Sequence, residues 1–280
     1  MKCAWQELLG ILPLWLRRQA EKLDYSSLHE IRLRLGQPPE AVTAKGSIRL
    51  QQSVYPEDLQ FCINIASEYS PWNASTAALG YITAPGGHRI GICGDIVMQN
   101  GQIKGTRTAT SLCIRVAKDI MHCAAGADTG GSILIIGRPG SGKTTLLRDL
   151  IRRRSEGGNH VVVVDEREEI FPKACGEFIF PTGISTDVMS GCPKTVGIDM
   201  ALRCMGPDTI AIDEITAQKD CDAILMAGWC GVDLLATAHA GSVEELYTRP
   251  VYAPIVETGL FSAVLMLKQD KSWTLERMKI

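Results

Sequence analysis

The chain has 280 residues, 29 Lys plus Arg against 31 Asp plus Glu, a net charge of −2, and 45% hydrophobic with 21% charged residues. These values exclude a disordered, collagenous or fibrous chain and point to one large or two smaller globular domains. The charge balance also argues against a protein whose first task is gripping nucleic acid, which carries a strong basic excess. Ten cysteines are present, at 3, 62, 93, 113, 123, 175, 192, 204, 221 and 230, and no two form C-x-x-C. That spacing gives no zinc-ribbon or thioredoxin signal. Cys93, Cys113 and Cys204 lie in apolar runs and read as small hydrophobes, so the expected compartment is reducing, hence cytoplasmic.

Taken in chain order, the first apolar stretch covers residues 8–16. It is far shorter than the roughly 20 residues of a membrane span. Arg17 and Arg18 follow it, the wrong flank for a signal peptide, so an amphipathic helix with Pro13 inside it is expected. Residues 30–35 alternate charged and apolar, as a half-buried strand does, and 79–84, 88–94 and 111–117 read likewise. Pro85-Gly86-Gly87 and Asn100-Gly101 are turn signals between strands. Residues 56–70 read as a helix. The expectation for 1–124 is a smaller α+β domain with a mostly antiparallel sheet.

Residues 124–131 are small and turn-rich and read as a linker. Beyond them the rhythm becomes strand, helix, strand, helix. Strands are expected at 132–136, 161–164, 209–212 and 232–236. Helices are expected at 144–154, 196–205 and 217–227, the first stopped by Gly157-Gly158. Four valines in a row at 161–164 mark a strand buried on both faces. Such alternation predicts an α/β domain over 132–280, a parallel sheet flanked by helices. The apolar run 261–267 is again too short to cross a membrane.

Gly137-Arg138-Pro139-Gly140-Ser141-Gly142-Lys143-Thr144 matches the phosphate-binding P-loop pattern G-x-x-x-x-G-K-[ST] between an expected strand and helix. The glycines let backbone N–H groups turn inward onto phosphate oxygens, and the helix N-terminus adds its positive end. Lys143 would reach the β- and γ-phosphates, Thr144 would ligate Mg²⁺, and Thr145 would lie near the α-phosphate. A P-loop enzyme also needs a carboxylate on a neighbouring strand to hold Mg²⁺ through water. The run Ile210-Ala211-Ile212-Asp213-Glu214 supplies Asp213 for that task, and Glu214 to polarise the attacking water. The acidic run Asp165-Glu166-Arg167-Glu168-Glu169 ends the valine strand, where it is either a solvated loop or a contributor to the same site. His239, closing another strand, is a candidate γ-phosphate sensor.

At this point the sequence resembles a known family. His29-Glu30-Ile31-Arg32-Leu33-Arg34, Gly86-Gly87-His88-Arg89-Ile90-Gly91, the P-loop, Val164 to Ile170, Thr186-Asp187-Val188, Cys192-Pro193-Lys194, Met205-Gly206-Pro207-Asp208, Ile212-Asp213-Glu214 and Thr237-Ala238-His239 are similar to the stage III sporulation protein AA family. That family is itself similar to the secretion and pilus-retraction ATPases. The resemblance spans nearly the whole chain. It implies a RecA-like P-loop NTPase core after the α+β domain, with ATP and Mg²⁺ as ligands. It also implies that the stretch ending in Glu169 is an acidic box and that His239 belongs to a histidine box. The implied assembly is a homo-hexameric ring, or a monomer when isolated, with Arg203 or Arg115 reaching a neighbour's γ-phosphate. The implied setting is the mother-cell side of a channel complex, where a cytoplasmic motor docks on membrane proteins. Secretion ATPases commonly carry Gly where this chain has Asp213, so the sporulation branch fits better.

Three other readings compete. A nucleic-acid-dependent ATPase would use Arg32, Arg34, Arg89, Arg107 and Arg115 as a basic groove, although these also read as solvated strand faces. A small-molecule kinase would normally open with its P-loop, whereas over a hundred residues precede this one. The last is a scaffold that binds ATP for assembly with little turnover.

Overall fold

Short apolar runs closed by turn residues fold, in the second half of the chain, into strands with no exposed face. The structure is a computed structural model, and it describes residues 2–67, 80–127, 130–174 and 176–278. Leu79, the end of the helix expected over 56–70, Asp128 and Thr129 lie outside the described residues. The chain divides into two compact units, Met1–Asp119 with Pro172–Ile179, and Ile120–Phe171 with Phe180–Ile280.

The second unit is built on a seven-stranded sheet. Its order is Thr186–Ser190, Val161–Asp165, Thr209–Ile212, Asp233–Ala238, Ile133–Gly137, Ala263–Leu267 and Trp273–Arg277. The first six are parallel, and the last turns back antiparallel. Val162, Val164, Leu134, Ile136, Ile210 and Ile212 form one core with Ile198, Cys221 and Ile224 of the helices Lys194–Cys204 and Gln218–Trp229. Their strand neighbours Ile133, Ile135, Val161 and Val163 are equally buried, so both faces of the sheet are covered. The parallel ladder sets what reaches the sheet's C-terminal edge. Val164 pairs with Ile212, Ile212 with Ala236, and Ala238 with Ile136. Asp165, Asp213 and Thr237, each one residue beyond, therefore stand side by side.

The observed strands and helices of this unit lie within a few residues of the expected ones. The run 261–267, considered above only as a membrane span, supplies the buried strand Ala263–Leu267. The expected linker is partly structured. Ala124 and Ala127 are fully buried, and the Asp149 carboxylate accepts the backbone N–H of His122 (2.9 Å) and of Ala124 (2.8 Å). A carboxylate can replace the missing ladder partners of a turn, so small turn-rich residues pack here instead of spanning solvent.

In the first unit a six-stranded antiparallel sheet has the order Gly46–Arg49, Glu40–Thr43, Leu28–Arg34, Gln102–Arg115, His88–Gln99, Tyr81–Ala84. One face buries Ile31, Leu33, Ile82, Ile90 and Ile114 against Leu8, Leu16 and Leu59 of the helices and Leu12 between the first two of them. The Asn100-Gly101 turn forms as expected. Gln99 pairs with Gln102, and both turn residues have positive φ, 51° and 73°, as a two-residue hairpin requires. Its strands run well past the expected 88–94 and 111–117. The single amphipathic helix expected around Pro13 is two helices, Trp5–Ile11 and Leu14–Ala20. Proline lacks a donor and drives the residue before it to extended backbone, so Leu12 adopts ψ 141° and Pro13 becomes the cap of the second helix.

Two further expectations are corrected here. Cys93 and Cys204 are exposed, so they are not packing hydrophobes, whereas Cys62 and Cys221 are buried. Period 2 puts Cys93 on the open face of its sheet. Arg32, Arg34, Arg89 and Arg115 do share that face by register, but they do not make a uniformly basic groove. Arg32 pairs with Glu30 at 2.6 Å, Arg34 pairs with Glu40 at 2.8 Å, and Arg89 stacks on the Tyr81 ring at 4.3 Å.

Candidate nucleotide site at the sheet edge

The strand Ile133–Gly137 delivers the glycine-rich loop, and the helix Lys143–Glu156 leaves it. Two conformations in the loop require glycine, Gly140 at φ 74° and Gly142 at φ 105°. Gly137 is required for space: a Cβ there would lie 2.6 Å from Ser141 Oγ and 3.0 Å from the Leu267 carbonyl oxygen. Arg138 and Pro139 are exposed on the loop's outer side. Ser141 is buried, and its Oγ has no hydrogen-bond partner. A buried hydroxyl without a partner costs stability unless a ligand serves it, and here it belongs to the loop that would receive phosphate.

Lys143 folds back into this loop. Its Nζ donates to the carbonyls of Gly137 (3.0 Å) and Arg138 (3.3 Å) and to His239 Nδ1 (3.0 Å). An ammonium only donates, so Nδ1 accepts and the ring proton sits on Nε2. That N–H lies 2.9 Å from Glu214 Oε1, and the other Glu214 oxygen accepts from Arg167 Nη1 at 2.9 Å. Lys143, His239, Glu214 and Arg167 are thus one continuous relay joining the segments that follow four strands. Beneath it, Thr144 Oγ1 donates to Asp213 Oδ2 at 2.7 Å, and Thr237 Oγ1 donates to Asp213 Oδ1 at 2.5 Å. Thr237 Oγ1 also accepts the Glu214 backbone N–H at 2.8 Å. Glu214 stands at φ 51°, an uncommon conformation for a residue with a side chain, and it breaks the strand so that its carboxylate turns back toward His239.

The acidic run divides into roles. Asp165 is buried, and its carboxylate accepts the backbone N–H groups of Glu169, Ile170 and Phe171, each at 2.9 Å. Burial pushes its pKa up to about 6, with the Asp213 charge adding to the rise and the three N–H bonds opposing it. Its work is to shape the loop that carries Arg167 and Glu169. Glu166 pairs with the buried Lys194 at 2.5 Å. Glu169 lines a cleft of about 10 Å³ together with Asp165, Glu166, Arg167, Lys194, Asp213 and Glu214.

The structure therefore brings Gly137 to Thr144, Asp213, Glu214, His239 and Glu169 to one sheet edge. Thr145 is half-buried in the helix's first turn, where its carbonyl accepts from Cys123 Sγ. Arg203 is exposed and pairs with Asp199 one helical turn away, at 2.9 Å, so it does not reach the cleft of its own chain. Arg115 belongs to the other unit. The roles missed at the level of sequence are those of Arg167, read only as part of a charged run, and of Thr237. The available signal was a threonine at the end of a neighbouring apolar strand, two residues before His239. Among the described residues no cluster of three or more His, Cys, Asp or Glu is arranged to hold a metal ion.

The sequence model of the family Sporulation stage III, protein AA matches residues 4–275. Stage III sporulation protein AA of Bacillus subtilis (strain 168) is 32% identical over 280 residues, which cover 95% of this chain and 91% of that protein. Among solved structures, the pilus retraction motor PilT with bound ADP aligns with a TM-score of 0.62 at 13% identity, over 95% of this chain and 82% of that one. The Legionella pneumophila ATPase DotB aligns with a TM-score of 0.57 at 20% identity, over 95% and 80%. The fold is that of the RecA-like secretion ATPases.

Proposed function

The chain belongs to the stage III sporulation protein AA family, and from that premise we propose that it is a P-loop ATPase that hydrolyses ATP to ADP and phosphate as the motor of a sporulation-associated channel complex. The observation that supports this most is the relay from Lys143 through His239 to Glu214, set directly above the Thr144–Asp213 pair. These groups come from segments far apart in sequence and converge only because the sheet is parallel.

The loop Gly137 to Thr144 would hold the triphosphate, with Lys143 exchanging carbonyl partners for phosphate oxygens and Ser141 gaining a partner. Thr144 and Asp213 offer two hard oxygen donors in contact. They fit Mg²⁺, which keeps several waters and takes few protein ligands. Bound there, Mg²⁺ would neutralise charge on the β- and γ-phosphates. Glu214 orients and polarises the attacking water, and His239 reports phosphate occupancy to it through the Nε2–H contact. Glu169, across the cleft, is the second carboxylate within reach. Arg203 or Arg115, both of which lie outside this cluster, acts across the subunit boundary in a homo-hexameric ring. Among the described residues no helix is long and apolar enough to cross a membrane. Membership of the family supports placing the motor on the mother-cell cytoplasmic side, docked on membrane proteins of the channel.

Phosphate release, measured across protein concentration, tests this reading. Cooperative growth of specific activity supports sites shared in a ring, and a flat trace at background sinks the motor and leaves an ATP-binding scaffold. Lys143→Ala is expected to weaken ATP binding by at least about 100-fold. Glu214→Gln is expected to keep ATP affinity within a few-fold while turnover falls at least about 100-fold. Unimpaired turnover in that variant would remove Glu214 from its role.

A further inference from the structure

The parallel pairing of Leu267 with Gly137 has a geometric consequence beyond the sheet. The segment after Leu267 must leave the sheet beside the glycine-rich loop that begins at Gly137. That segment is the tight turn of the C-terminal hairpin, which ends where Trp273 pairs back with Leu267. Lys271 sits in that turn at φ 70°, a region unfavourable for a side-chain-bearing residue. The turn holds it there through the Lys268 N–H to Ser272 carbonyl bond (2.9 Å) and the Asp270 carboxylate, which accepts the Ser272 N–H at 3.0 Å.

From this position the Lys271 Nζ donates to the Gly140 carbonyl at 2.5 Å, and its stem passes beside Gly142, where an added Cβ would lie 3.9 Å from it. The Gly140–Ser141 peptide is thereby held from both sides, because the Ser141 N–H donates to the Arg138 carbonyl at 3.1 Å. A trans peptide points its C=O and N–H in opposite directions, so fixing one orients the other. Lys143 holds the Gly137 and Arg138 carbonyls of the same loop from inside. The buried Ser141 Oγ, without a partner, adjoins the peptide that Lys271 holds.

Resting on the nucleotide-site reading above, we propose that Lys271 is a positioning residue of that site, a second lysine that braces the glycine-rich loop and adds positive charge where the nucleoside triphosphate's phosphates bind. It couples the C-terminal hairpin to nucleotide affinity. A charged donor on a loop carbonyl sets both the loop's shape and its local potential, so its loss weakens the phosphate contacts and leaves the sheet intact.

The test is equilibrium binding of ATP and of inorganic pyrophosphate to the full chain, with thermal unfolding measured without ligand. Lys271→Met keeps the apolar stem and removes the ammonium. It is expected to weaken both ligands by about 3- to 10-fold with an unchanged unfolding midpoint. Lys271→Arg, which restores the charge and donors, is expected to return affinity to within about twofold of the parent. Parent-like affinity in Lys271→Met overturns the inference while leaving the nucleotide site in place. A loss that Lys271→Arg does not repair, or one accompanied by a lowered unfolding midpoint, also overturns it, because the side chain would then serve packing alone. A parent chain that binds neither ligand overturns the nucleotide-site reading, and this inference with it.

Discussion

The two units use opposite sheet designs. In the second, strands such as Val161–Asp165 and Thr209–Ile212 are buried at every position, and their charged residues, Asp165 and Asp213, stand at or just past the strands' C-terminal ends. In the first, the strand Leu28–Arg34 alternates buried and open positions, and its charges spread over a face. A parallel sheet covered on both sides has one place left for polar chemistry, the line of its C-terminal edge, and it collects there residues remote in sequence. An antiparallel sheet open on one side disperses its polar groups and pairs them locally, as Arg32 with Glu30 and Arg34 with Glu40. Concentration at an edge favours catalysis, and dispersal over a face favours solvation.

Core truncations are the strongest way to break this comparison. Ile210→Ala in the second unit and Ile31→Ala in the first, both fully buried, are each expected to cost about 2–5 kcal/mol. Hydrogen exchange followed segment by segment should show the loss mainly in the unit that carries the substitution. Equal loss in both would mean that the two cores are one cooperative structure.

Acid sharpens it next. In the first unit His88 is fully buried, its Nε2 donating to the Ala4 carbonyl at 2.7 Å while Nδ1 accepts the Ala117 N–H at 3.2 Å. Burial lowers its pKa to about 4. Between the unfolded value of about 6.5 and about 4 the unfolded chain binds the extra proton, so the first unit loses up to about 3 kcal/mol as pH falls through that window. Asp165 in the second unit runs the other way. Its folded pKa, about 6, lies above its unfolded value of 3.8, so the folded state binds the extra proton between them and stability falls as pH rises. Exchange protection measured from pH 4 to 6.5 should therefore rise with pH in strands 88–99 and fall in strands 161–165, after correction for intrinsic rates. Parallel trends in the two would contradict one of these burials.

The smallest expected effect is at Arg203. Its pair with Asp199 is solvent-exposed, so Arg203→Ala should change stability by less than about 0.5 kcal/mol. If it also leaves ATP affinity unchanged but lowers turnover, the arginine acts on a neighbouring subunit. Unchanged turnover removes it from the site.

Much of this was legible locally. The loop Gly137 to Thr144 is readable because its function lies in consecutive backbone groups, and Asn100-Gly101 because two positive φ angles need those residue types. Asp213 and Glu214 were readable as carboxylates ending an apolar run. The break at Pro13 was misread because amphipathic spacing continues through it, while the missing N–H that ends the helix leaves no trace in hydrophobic pattern. Asp165 looked like the equal of its acidic neighbours. Only its burial, with its carboxylate turned onto the N–H groups of Glu169, Ile170 and Phe171, marks it as the residue that folds the loop.

The sequence by itself determined the alternating strands and helices around the phosphate-type loop, where that loop lies, and which acids and histidine end the strands. Those are consequences of spacing and residue type over a few neighbours. The tertiary structure decided who meets whom. Arg167 reaches Glu214, Lys143 reaches His239, and Lys271 reaches Gly140 across 47, 96 and 131 positions of chain. Those meetings depend on the order and register of parallel strands. Order and register are settled by burying both faces of the whole sheet at once, which no local stretch of residues encodes alone.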